Sequence, residues 1–432
     1  MLCLQTAASS RLGVAQDSAE AARLYKLAAE QGLALAQYNL GLMYQQGLGV
    51  VQDNVEAVRL FTLAAEQGQA EAQSNLGLMY ATGQGVSQDS AEAMRLYELA
   101  AEQGFADAQY NLGAMYQQGP EVERNYTETV YWFALAAEQG QALAQYNLGW
   151  MYQQGQGVVQ SSAEAVHLYT LAARQGLALA QYNLGLMYQQ GLGLTQSDVE
   201  AVRLYKLAAE QGLALAQYNL GFAYDQGLGV TQDSVEAVRL YTLAAEQNLP
   251  RAQYNLGFMY KQGEGVEQDS AEAARLFALA AEQGLAEAQS TLGSMYQQGL
   301  GLTQSDVEAV RLYKLAAEQG LALAQYNLGV MYQQGKGLTQ SDVDAVRLFA
   351  LAAEQGLALA QYNLGVMYQQ GLGVAKDETR AHMWTNLAAA QGDKPAAKTR
   401  DLYAQQMTQQ QIAEAQNLAK KCLARNYKNC DR

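Results

Sequence analysis

The stretch LAAEQGLALAQYNLGLMYQQGLG, residues 27–49, is the unit from which this chain is built. Its core AAEQG starts at Ala28 and returns at Ala64, Ala100 and Ala136, then as AARQG from Ala172. It continues at Ala208, Ala244 (as AAEQN), Ala280, Ala316 and Ala352, and ends as AAAQG from Ala388. The step is 36 residues throughout eleven copies, with no insertion or deletion. A chain of this length would ordinarily suggest about three domains. A fixed period of this size argues instead for one stack of small units, each burying its apolar side against its neighbours.

Residues 17–52 show how one unit folds. Asp17 is followed three residues later by Glu20, the pattern of a capping box at a helix start. The Asp17 position is Asp, Asn or Ser in every copy, and the Glu20 position is acidic in all but the last, where Arg380 stands. This first helix, helix A, is expected to run to Gln31 and stop at Gly32, a residue suited to the left-handed conformation after a helix end. Its Ala21, Leu24, Tyr25, Ala28 and Ala29 gather on one side. Helix B is expected from Ala34 to Gln46, with Ala36, Leu40, Met43 and Tyr44 buried. Gly41 sits in its middle and recurs in ten copies, each costing about 1 kcal/mol relative to Ala. That points to close helix approach, with Ala28 and Ala29 expected across the contact.

Along the chain, residues 1–16 form a partial repeat or N-terminal remnant, since Arg11-Leu12-Gly13-Val14 falls where GLGV falls in later units. Either the chain opens midway through a repeat or this is a degenerate cap. The repeats occupy 17–392, and 193–195 and 301–303 lie in long identical blocks, 187–221 and 295–329. The fourth unit diverges most, with Glu121 in place of a loop glycine and Val130-Tyr131-Trp132-Phe133 on its helix. Residues 393–432 read as C-terminal capping helices and a tail, with a weaker capping box at Thr408 and Gln411.

Half the residues are apolar, enough for a continuous core, and the net charge is −15. A phosphate backbone or anionic lipid surface would be repelled, so no nucleic-acid partner is expected. No apolar run approaches the roughly 18 residues of a membrane span, and MLCLQTAASS lacks the basic start of a signal peptide. Cys422 and Cys430 could form a disulfide in an oxidising compartment if the helix ends between them; otherwise they are two unrelated thiols.

The pattern A-x-x-x-L-G-x-x-Y-x-x-G-x-G-V, an acidic cap, then A-x-x-x-[LW]-[YF]-x-x-A-A-x-Q-G resembles Sel-1-like repeats, relatives of the tetratricopeptide repeat. The resemblance covers residues 13 to about 392; only Trp132 and Trp384 keep the Trp that many members carry at the Leu24 position. It implies an all-α, α/α solenoid superhelix and a scaffold or adaptor that binds a partner protein or peptide. Members occur in bacterial envelopes, among secreted virulence factors and in an endoplasmic-reticulum ubiquitin-ligase complex. The tail MTQQQIAEAQNLAKKCLARNYKNC resembles the ending of exported bacterial members. It implies a periplasmic or secreted location, with the cytoplasm as the alternative.

A partner surface is expected on helix A, whose outward side carries Arg23, Arg59, Arg95, Arg203, Arg239, Arg275, Arg311 and Arg347, with Tyr131, His167 and Met383 replacing arginine. A row of glutamates from Glu30 onward lies on the same face. Paired charges could hold a peptide or helix; alternatively the face is solvated and its local ion pairs are worth under about 1 kcal/mol each. The departures Tyr131, His167, Lys26, Lys206 and Lys314 are the sharpest candidates. Helix B offers a second surface, with Tyr38 and its counterparts, Trp150, Phe222 and Phe258, read either as an exposed ridge or as packing against the adjacent repeat.

Catalysis is the rival class. Cysteine-rich relatives are described as penicillin-binding or β-lactamase-like, but they carry a cysteine pair in most repeats and this chain has none inside any repeat. No nucleophile motif, metal-ligand cluster or phosphate loop appears, and only His167 and His382 could serve as a catalytic histidine. Neither a cofactor nor a metal is expected.

Overall fold

The computed structural model describes residues 17–119 and 124–430. Among them are 23 helices and no strand, an all-α solenoid. The remnant at 1–16, with Cys3, and the loop residue Glu121 lie outside the described residues.

The chain forms two compact units, up to Leu213 and from Ala214 onward. The first holds α1 (17–30), α2 (Ala34–Gln46), α3 (Asn54–Ala65), α4 (Ala70–Thr82), α5 (Ser90–Glu102), α6 (Ala106–Gln118), α7 (Tyr126–Glu138), α8 (Ala142–Gln154), α9 (Ser162–Arg174), α10 (Ala178–Gln190) and α11 (Asp198–Glu210). The second holds α12 (Ala214–Gln226), α13 (Ser234–Glu246), α14 (Pro250–Gln262), α15 (Ser270–Glu282), α16 (Ala286–Gln298), α17 (Asp306–Glu318), α18 (Ala322–Gln334), α19 (Asp342–Ala353) and α20 (Ala358–Gln370). It ends with α21 (Glu378–Ala390), α22 (Lys394–Ala404) and α23 (Gln409–Ala424). Odd-numbered helices through α21 are helix A of a repeat and the even-numbered ones helix B.

From α3 to α21 each helix A starts on a side-chain cap: Asp53 accepts from the backbone N–H groups of Val55 and Glu56, and Asn125 from those of Thr127 and Glu128. The expected reciprocal half of the capping box is absent. Glu56 turns instead to Arg59, and the backbone N–H of Asp53 donates to the Tyr44 carbonyl at 3.0 Å. A full box forms at Thr408 and Gln411, where α23 begins. Helices α2 to α10 and α14 to α20 of the helix B set start without a side-chain cap and end on a left-handed glycine, Gly47 at φ 70° in the first repeat, whereas α22 starts on Asp393. After helix A the same role falls to Gly32 and its counterparts, and to Asn248 at φ 61° where glycine is missing.

The glycine inside helix B has a cause other than the expected one. A Cβ at Gly41 would come within 2.7 Å of the Phe61 ring, and at Gly113 within 2.7 Å of Phe133. The close approach is to the aromatic ring of the next repeat's helix A, not to Ala28 and Ala29 of its own. Tyr38, on the same helix as Gly41, also meets that ring, 5.8 Å centroid to centroid from Phe61, and Tyr146 lies 5.7 Å from Tyr169. The helix B tyrosines are therefore part of the packing between repeats. The Asn of the following repeat donates to several of their hydroxyls, as from Asn75 to Tyr38 at 3.3 Å.

A second device joins the repeats. Gln37 is 4 % exposed; its side-chain amide donates to the Ala29 carbonyl and its oxygen accepts from Gln67 of the next repeat at 2.7 Å. The same pair of bonds recurs through Gln145 with Ala137 and Gln175, and through Gln289 with Ala281 and Gln319. These are the Gln of AAEQG and the Gln of ALAQ.

The stack ends on α23, which packs against α21. Its Ala415, Ala419 and Cys422 share one buried cluster with Met383, Trp384 and Leu387. Beyond the helix the chain turns back, and Cys422 and Cys430 are joined as a disulfide with Cα atoms 4.9 Å apart.

Two substitutions test these joints. Gln145→Leu removes both bonds of the joint, although Gln175 keeps its bond to the Gly140 carbonyl and the Ala137 carbonyl keeps the Gly140 N–H; the two lost bonds should lower unfolding free energy by about 1–3 kcal/mol, read from urea denaturation. Gly113→Ala gains about 1 kcal/mol of helix propensity but overfills the Phe133 contact, at a cost of about 1–3 kcal/mol; net destabilisation is expected, and a rise in melting temperature would contradict the packing assignment.

Candidate functional site

The surface that packing leaves free on helix A is the place to look for a partner. Its charged row is locally closed. Arg95 meets Glu92 at 2.6 Å, Arg203 meets Glu200 at 2.8 Å, Arg239 meets Glu236 at 2.6 Å, Arg275 meets Glu272 at 2.6 Å and Arg311 meets Glu308 at 2.8 Å. Each partner is the acid three residues before the arginine, not the Glu30-type residue two turns further on. The hydrogen bonds from Arg59 hold the Glu56 carboxyl below its ordinary range, with Lys26 of the preceding repeat adding to the effect, and Arg59 is raised in turn. These pairs are exposed, so each adds little stability. What they do is hold the guanidinium groups in a row at a set height on the helix.

Two repeats interrupt that row. Tyr131 is 54 % exposed and stands edge-on to Trp132 at 4.9 Å. His167 is exposed on the next helix A. Among the described residues, Glu128 and Glu164 consequently lack the arginine clamp found in the first three repeats and in the sixth to tenth. Lys206 and Lys314 are exposed on the same helical side as Arg203 and Arg311. His382 is different: it is buried, and burial followed by the nearby Arg400 lowers its pKa.

Sequence reading missed the apolar part of this face. One leucine, four residues after the arginine, stands in every copy: Leu27, Leu63, Leu99 and onward to Leu387. It remains largely outside the core, with Leu315 39 % and Leu351 42 % exposed, but Leu387 is 1 % exposed. The signal was present as an unchanging residue beside a position that varies among Lys, Thr, Glu, Ala and Asn. A helical wheel of one repeat treats it as incidental, because it sits between the buried and the charged sides.

Between α1 and α3 this face opens into a groove of about 340 Å³ whose lining includes Lys26, Gly32, Glu56, Arg59 and Leu63. It combines an apolar floor with a rim of both charges, a surface that suits a polypeptide. Among the described residues there is no group of His, Cys, Asp and Glu that could hold a metal ion, and no helix long and apolar enough to cross a membrane.

Comparison with known proteins places this architecture. The Sel1 repeat family model matches eleven consecutive segments, beginning with 9–33 and 34–69 and ending with 358–393. A protective antigen of uropathogenic Escherichia coli strains, with an SLR fold, is 36 % identical; the match covers 94 % of this chain and 87 % of that one, with a TM-score of 0.87. A Sel1 repeat protein from Oxalobacter formigenes is 34 % identical over 71 % of this chain and 88 % of its own, with a TM-score of 0.56. None of the curated proteins compared with the chain matches it. With its repeats matched end to end, the chain belongs to the Sel1 repeat family, whose helical solenoids generally serve as scaffolds for protein interactions.

Proposed function

We propose that this protein is a scaffold or adaptor that binds a partner protein through the helix A face, and that it works in the periplasm or outside the cell. The observation that carries the binding reading is the leucine row. An apolar side chain kept half-buried or exposed at one position in ten repeats, beside a clamped arginine in eight of them, builds a surface that water covers poorly and a partner covers well. The arginines Arg95, Arg203, Arg239, Arg275 and Arg311 supply orientation, and Tyr131, His167, Lys206 and Lys314 supply the local differences by which one partner is told from another.

Two observations support the location. The 36 % identical E. coli relative is a protective antigen, and a surface or released protein is what antibodies reach. Cys422 and Cys430 lie within disulfide reach at the end of the stack, and such bonds persist in oxidising compartments. The cysteine-rich relatives' penicillin-binding chemistry gains no support, since no repeat of this chain contains cysteine.

Reversing three arginines of one unit, Arg239→Glu, Arg275→Glu and Arg311→Glu, replaces each clamp by a repulsion worth a few tenths of a kcal/mol. The helical circular dichroism should stay intact while partner capture from the native host falls at least tenfold; unchanged capture would sink the helix A reading. Separately, thiol labelling of protein recovered from host fractions should find Cys422 and Cys430 oxidised and the protein outside the cytoplasm. Reduced cysteines in a cytoplasmic pool would overturn the proposed location.

A further inference from the structure

The two ends of the helix A face can be compared position by position, nine repeats apart. Gly32, Leu40, Tyr44 and Leu63, which line the open groove between α1 and α3, correspond to Gly356, Leu364, Tyr368 and Leu387 around α19 and α21. The residue types are the same at all four. At the second place the space is filled by the chain itself. A Cβ on Gly356 would meet the Tyr427 ring at 3.2 Å, whereas around Gly32 nothing lies within 4 Å. Met383 and Leu387, counterparts of Arg59 and Leu63, are 0 % and 1 % exposed and share a cluster with the α23 residues Ala415, Ala419 and Cys422.

The filler is the turn that carries Tyr427 over Gly356 together with α23, an amphipathic helix that packs on α21. Ala415, Leu418, Ala419 and Cys422 fall at i, i+3, i+4 and i+7 and all belong to that buried cluster or its edge. Small side chains dominate the stripe, so a helix can approach the leucine row closely. The opposite side carries Glu414, Lys420 and Lys421. The open groove keeps the same floor but changes the rim: Lys26, Glu56 and Arg59 stand where the filled one has Ala350, Arg380 and Met383. A helix seated there needs charges of both signs beside the same small-residue stripe.

We infer that the groove between α1 and α3 receives an amphipathic helix of a partner protein, seated as α23 is seated on α21, with an alanine- and leucine-rich stripe over Leu63 and its charged flanks against Glu56 and Arg59. This inference rests on the helix A face being the partner surface and names what that surface takes.

The test uses the full chain and, as ligand, a fluorescent synthetic peptide of residues 408–430 in oxidised form, read by anisotropy. Saturable binding is expected, weakened at least tenfold by Leu63→Glu and about threefold by Leu63→Ala, with circular dichroism and thermal melting unchanged in both. No saturable binding, or binding indifferent to both variants, overturns the inference; indifference would mean that the peptide exchanges with α23 in its own seat. Binding that appears only after residues 1–16 are deleted would make that segment the occupant and equally overturn it. So would a dimer in sedimentation that Leu63→Glu dissociates, because the occupant would then be a second copy. Capture that depends on Arg239, Arg275 and Arg311 can survive any of these results, so the two readings fail separately.

Discussion

The buried glutamine at the start of helix B is the constraint on which the stacking depends. A side-chain amide inside a packed interior costs free energy unless both of its ends are bonded. Gln145 meets that requirement by donating to the Ala137 carbonyl of its own repeat and accepting from Gln175 of the next. The first bond gives the end of helix A a second donor, beside the Gly140 N–H that the Ala137 carbonyl already accepts. The second sets the distance and register to the neighbouring repeat. A slip of one residue would break the bond between Gln145 and Gln175, and a polar bond of this kind specifies register where apolar contact alone would tolerate sliding.

The glycine and aromatic contact supplies the complementary apolar joint. Gly113 gives up helix propensity so that the Phe133 ring can lie against the helix B backbone, and Tyr110 of the same helix stacks on that ring at 5.5 Å. With glutamine, glycine and tyrosine committed to joining repeats, the free surface of helix A is left with arginine, glutamate and one leucine. That residue set is what a partner meets, and it explains how a regular stack can keep an apolar row exposed without burying it in its own core.

The last repeat shows what happens when the row is covered. Arginine gives way to Met383, the position before Phe349-type rings becomes Trp384, and Leu387 is buried under α23. The substitutions that make the eleventh repeat look divergent are the ones a covering helix requires: removal of a charge and enlargement of apolar contact. In the fourth and fifth repeats the row is altered without being covered, and Tyr131 and His167 remain exposed.

The period of 36, the N-cap residues and the glycines at helix ends are local, and sequence alone determined the helix pairs, their boundaries and the repeat family from them. Helix B at Ala34–Gln46 is read directly from its flanking glycines because chain reversal demands positive φ there. The roles of Gly41, Gln37 and Glu56 were decided only in the tertiary structure. Each depends on an atom one repeat away or on a choice between two nearby partners, and such choices follow from how helices pack in space. The leucine row belongs to the same class: its recurrence is written in the sequence, but its exposure results from which helix sides the neighbouring repeats cover.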